Sequence, residues 1–208
     1  MFFNVKINSL CCDFFMKNLL FRISKNEQRK NVLVLKKLIK NSYALGIKIL
    51  EIPLVDSSSI KNEMEEDELV ANLKEVIQDA RKLGILIGLE TDYPPQRILK
   101  LLKKIDDDNI VLNYDTGNSA SLGFDPKEEL TIIGKYIKNI HIKDRKLHGS
   151  TVTFGKGDVN FDLFFSTLKD IGYKGDLILQ GARIENETSE ITCTKYRDFV
   201  MKYIERYF

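Results

Sequence analysis

One pattern dominates the chain and limits what it can fold into. A short apolar run is followed by a longer, charge-studded stretch whose apolar residues recur at helical spacing, and the pair repeats along the sequence. Strands are predicted at 5–10, 47–53, 85–89, 110–114, 137–142 and 176–179. Helices are predicted at 26–45, 65–83, 95–104, 126–136, 161–171 and 195–207. The helices are punctuated as helices should be. Leu69, Leu73, Val76, Ile77 and Ala80 share one face ahead of Gly84, and Asp125 precedes Pro126 as a cap precedes a first-turn proline. Strands that alternate with single helices imply parallel pairing through right-handed crossovers, hence a doubly wound sheet or a (β/α) barrel.

The position of the polar residues separates these two folds. Cys12 and Asp13 follow the first predicted strand, Asp56 the second, Glu90 the third and Asp115 the fourth, while the fifth ends in His141 and the sixth in Gln180. A barrel turns the carboxyl ends of its strands towards one mouth, whereas a flat sheet spreads them. Glu90 to Asp115 and Asp115 to His141 are separated by 25 and 26 residues, one strand–helix repeat each. Two carboxylates, an imidazole and an amide oxygen suit one divalent cation, Mn²⁺, Mg²⁺, Co²⁺ or Zn²⁺, better than a thiolate-seeking ion. Such a cation acts as a Lewis acid on adjacent sugar oxygens and lowers the cost of an enediolate.

Bulk properties narrow the partners. The 208 residues, 43% hydrophobic, suffice for one large core and are read as a single domain, 1–208. With 32 Lys and Arg against 30 Asp and Glu, there is no electrostatic footprint for nucleic acid or an anionic membrane, which leaves a small molecule as the expected partner. Lys6, Asp13 and Lys17 interrupt the apolar N-terminal stretch and argue against a leader peptide. Three cysteines, two of them adjacent, do not make a disulfide framework, and a cytoplasmic location is expected.

The runs GLETD at 88–92, NYDTGN at 113–118, NIHIKDR at 139–145 and GKGDVNFDLFFSTLKDIGYKGDLIL at 155–179 resemble the xylose isomerase-like TIM-barrel superfamily, in particular its sugar phosphate isomerase/epimerase group. The resemblance implies metal ligands at Glu90, Asp115, His141 and Gln180. It implies that Glu90 and the residue at 180 form the acid–base pair of a divalent-metal-dependent sugar isomerase or epimerase. Position 180 departs from the pattern, because an amide cannot exchange a proton at neutral pH. This favours one-base aldose–ketose isomerisation through Glu90, with a non-catalytic or partner-completed sugar-binding fragment as the alternative. Asn118, Lys143, Asp144, Arg145 and Arg183 are the expected substrate contacts. Gly155, Lys156 and Gly157 offer a phosphate cradle that a plain turn explains equally well. The related endonuclease branch requires many histidines, and this chain has two. Placing the four ligands on the last four strands makes 5–10 and 47–53 the third and fourth. The fold expected is therefore an α/β TIM barrel that lacks its first two βα units and has six strands, with open edges that invite association with another copy or a completing chain.

Overall fold

The computed structural model describes residues 5–208. The sheet strands are β1 (Ser9–Cys11), β2 (Ile49–Leu54), β3 (Leu86–Thr91), β4 (Ile110–Asp115), β5 (Ile137–Ile142) and β8 (Asp176–Leu179), hydrogen-bonded in the order β1-β2-β3-β4-β5-β8. A separate antiparallel pair, β6 (Asp144–Arg145) and β7 (Thr151–Val152), rises from the loop after β5. The helices are α1 (Phe14–Lys17), α2 (Lys25–Ala44), α3 (Glu63–Leu83), α4 (Pro95–Ile105), α5 (Thr116–Leu122), α6 (Pro126–Ile133), α7 (Phe161–Asp170) and α8 (Ser189–Tyr207). Each of the six predicted strands is thus present in parallel α/β order. The described residues fall into two compact units, the first running to Thr91 with Arg97–Leu112 and the second comprising Asp92–Gln96 with Asn113–Phe208.

In the first unit, α2 begins at a capping box in which Ser24 accepts from the Glu27 N–H and Glu27 reaches back to the Ser24 N–H. α3 starts on Asn62, whose side chain accepts from the Glu65 N–H, and it ends at Gly84 in the left-handed conformation with φ 64°. Leu69, Leu73, Val76, Ile77 and Ala80 are buried, and each large one contributes roughly 1.5–3 kcal/mol of transfer free energy. β2 lies parallel between β1 and β3, with Cys11 opposite Glu51 and Glu51 opposite Gly88. The Asn109 amide donates to the Ile85 carbonyl at 2.9 Å and anchors the turn into β4.

In the second unit, β5 and β8 pair in parallel with His141 opposite Ile178. Asp125 caps α6 with Pro126 in the first turn, as its sequence foretells. Asn160 and Thr188 cap α7 and α8. Phe154, Phe161, Phe199 and Tyr203 join these two helices through ring contacts of 5.1–6.2 Å between centroids.

Three features differ from the sequence-based expectation. β1 starts at Ser9, four residues later than predicted. α8 begins six residues early because the Thr188 hydroxyl supplies a cap. The short helices α1 and α5 have too little periodicity to be read. Among the described residues no helix is long and apolar enough to cross a membrane, and Cys11, Cys12 and Cys193 are free thiols.

Candidate metal and sugar site

β2 and β3 carry one carboxylate each in the first unit. Glu51 is the third residue of β2, and Glu90 is the fifth residue of β3; both are buried. Burial, then the negative charges of Glu51, Glu90 and Asp13, push the Cys11 thiol far up, so Cys11 stays protonated beside them.

In the second unit β4 ends at Asp115, which does two things at once. Its Oδ1 accepts from the Asn118 N–H at 2.7 Å and caps α5, while Oδ2 lies 3.5 Å from Lys143 Nζ and 3.9 Å from His141 Nδ1. The His141 ring is held from behind, with Asn113 Nδ2 3.1 Å from Nδ1 and the Asn139 amide donating to Asn113 Oδ1 at 3.0 Å. Thr116 Oγ1 accepts from the Lys143 N–H at 2.9 Å and lies 2.7 Å from the Lys143 carbonyl, which pins the end of β5 to the start of α5. At Gly117 a Cβ would come within 2.8 Å of Lys143 Cγ, so a glycine is what lets the lysine stem lie against α5.

Glu51 and Glu90 each present one carboxylate oxygen, and these lie within 4.8 Å of one another. Both residues are buried, as is His141 in the second unit. Buried charge of this kind is stable only when paired or bound to a cation, and two carboxylate oxygens with one imidazole nitrogen are donors that a hard or borderline divalent ion accepts. Glu90 and His141 were expected as ligands, and Asp115 stands next to the histidine. Glu51 lies outside the set of strand-end residues because it sits inside its strand. Its signal was a carboxylate within the otherwise apolar run ILEIPL, where a parallel strand is normally buried on both faces.

The other expected positions take different places. Gln180 is exposed just beyond β8, where its N–H donates to the Ile142 carbonyl at 2.9 Å. Arg183 is exposed in the loop that follows. Asn118 Oδ1 accepts from Arg145 Nη1 at 2.8 Å and from Lys143 Nζ at 3.4 Å, while Arg145 also donates twice to the Gly149 carbonyl. Asp144 is buried and accepts from the N–H groups of Gly155, Gly157 and Val159 at 2.8, 2.8 and 3.3 Å. The Gly155 and Gly157 amides therefore hold an internal carboxylate rather than a phosphate, and the loop is built on Asp144. A further buried cluster was not foreseen. Tyr114 donates to Glu129 Oε2 at 2.7 Å and Ser119 donates to the same oxygen, with burial pushing Glu129 up to about 6.

Residues 3–190 match the xylose isomerase-like TIM barrel family. The chain belongs to that family. Among curated relatives, an uncharacterized protein of Methanocaldococcus jannaschii is 27% identical over 67% of this chain and 49% of its own length. A putative L-ribulose-5-phosphate 3-epimerase of Haemophilus influenzae is 26% identical over 88% of this chain and 68% of its own. The chain thus spans about half the length of the first of these relatives. Of solved structures, a D-tagatose 3-epimerase-like protein superposes with a TM-score of 0.80 at 20% identity, covering 98% of this chain and 78% of that one. The IolI protein with a bound zinc atom gives 0.79 at 21% identity, covering 98% and 77%. At these identities the two structures show that the fold is shared.

Proposed function

We propose that this chain is a divalent-metal-dependent sugar or sugar-phosphate isomerase or epimerase working through an enediolate. The observation that carries this reading is the buried pair Glu51 and Glu90, whose carboxylate oxygens are close enough for one ion, while in the second unit Asp115 stands 3.9 Å from the His141 ring. The sugar-phosphate epimerase named among the relatives and the zinc-bearing neighbour support it. Glu90, Asp115 and His141 hold the cation, which when bound polarises neighbouring hydroxyl and carbonyl oxygens of the sugar.

The chain's own groups do the rest. Glu90 takes the proton from C2, beside the carbonyl, and returns it to C1, while the hydroxyl proton passes from the oxygen on C2 to the oxygen on C1, and together these transfers interconvert an aldose and a ketose. Asn113 fixes the ring of His141, and the Lys143 ammonium offsets the charge of Asp115 at 3.5 Å. Asn118, Lys143 and Arg145 form a linked polar edge for substrate hydroxyl or phosphate groups, with Arg183 as a more distant anion contact. Gln180, a neutral amide, is left to bond a sugar hydroxyl. The free thiols suit a reducing cytosol.

The test is proton exchange. The Mn²⁺-loaded chain, incubated in D₂O with ketoses and their phosphates, is expected to introduce deuterium at the carbon beside the carbonyl, and Glu90→Gln to abolish that signal. No exchange with any sugar in the panel would leave a sugar-binding protein without turnover.

A further inference from the structure

Two acidic side chains lie shut from water on adjacent strands of the same sheet. Glu51 is 0% and Glu90 7% exposed. Glu51 pairs in register with Gly88, and residues two apart in a strand face the same way, so both carboxylates project from one face. Their ligand oxygens lie within 4.8 Å of each other. Two like charges at that separation, away from bulk water, repel strongly and each carries a desolvation cost. A cation between them turns the repulsion into two attractions.

We infer that Glu51 is a direct ligand of the cation and supplies the carboxylate that the superfamily pattern places at position 180. The inference rests on the metal-dependent reading of the site above. Position 180 carries a neutral, exposed amide here, whereas Glu51 offers a negative oxygen from a buried strand. With Glu51 the donors include three carboxylates and an imidazole, and this restores the charge lost at Gln180. The acidic ligand has moved from the end of one strand to the interior of another.

Titration calorimetry of the full chain with MnCl₂, backed by elemental analysis of bound metal, tests this. Glu51→Gln is expected to weaken Mn²⁺ binding at least tenfold, and Gln180→Ala to change it less than threefold. A second readout separates ligation from structural support. In EDTA, Glu51→Gln should melt above the wild type because the repulsion with Glu90 is gone, and added Mn²⁺ should stabilise it less. If Glu51→Gln fails to fold, Glu51→Asp, which keeps the charge but retracts the oxygens, should still bind Mn²⁺ with reduced affinity. Wild-type affinity in either Glu51 variant, or loss of binding in Gln180→Ala instead, overturns the assignment. If the wild type itself binds neither Mn²⁺ nor Zn²⁺, the metal-dependent reading of the whole site fails.

Discussion

At the scale of single residues, Glu129 shows how burial sets a measurable property. Its carboxyl is buried against Tyr114 and Ser119, and burial raises it from an ordinary 4.5 to about 6, with the two hydroxyl donors opposing part of the rise. A carboxyl raised on folding makes the folded state bind the extra proton, so its contribution to stability is complete below pH 4.5 and is lost as pH climbs through 6. The loss is about 2 kcal/mol. Urea unfolding at several values between pH 4.5 and 7 should show the wild type losing that amount relative to Glu129→Gln, and a constant difference between the two would refute it. Residues of this kind are the least legible in a sequence. Glu129 lies in the run PKEEL, where a solvated helix face is the ordinary expectation, and nothing local tells it from Glu128. Glu90, Asp115 and His141 stand near strand ends, where a barrel's mouth lies, whereas Glu51 sits inside β2.

At the scale of elements, the long helices and their caps could be read ahead of the coordinates, because Asp125 with Pro126 and Leu83 with Gly84 are local signals that need no tertiary context. The loop from Ile142 to Phe161 could not. Its shape depends on Asp144 accepting from three backbone N–H groups between 155 and 159, contacts that span 11 to 15 positions in the chain. Two glycines allow a direct comparison. A Cβ at Gly157 would meet Asp144 Oδ1 at 2.0 Å and displace the carboxylate, whereas at Gly84 nothing lies within 4 Å and only the positive φ resists substitution. Gly157→Ala is therefore expected to cost on the order of 3 kcal/mol, through charge-assisted hydrogen bonds left unmade. Gly84→Ala is expected to cost about 1 kcal/mol from left-handed strain. Guanidinium unfolding of the two variants checks the ranking, and equal losses would mean that the Asp144 loop adapts without effort.

At the scale of the whole molecule, the alternation of strand and helix revealed the six-strand sheet and its order, since parallel strands joined by short crossovers fall next to their sequence neighbours. The division into two compact units was not visible, because it passes through β4 between Leu112 and Asn113, inside a single strand with no turn signal. On the proposed reading a cation held by Glu51, Glu90, Asp115 and His141 engages side chains up to 90 residues apart in the sequence, a set that an unfolded chain does not gather. Binding of that kind stabilises by mass action, since the unfolded chain offers no comparable set of donors. At a free Mn²⁺ concentration a hundred times the dissociation constant the gain is about 2.7 kcal/mol, which for a chain of this length raises the melting midpoint by roughly 5–10 °C. Calorimetric melts across a series of Mn²⁺ concentrations should trace this logarithmic climb, and EDTA should reverse it. A midpoint that stays fixed while calorimetry at 25 °C reports tight binding would mean that the ion is held by groups the unfolded chain also presents, and the gathered ligand set would then be the wrong one.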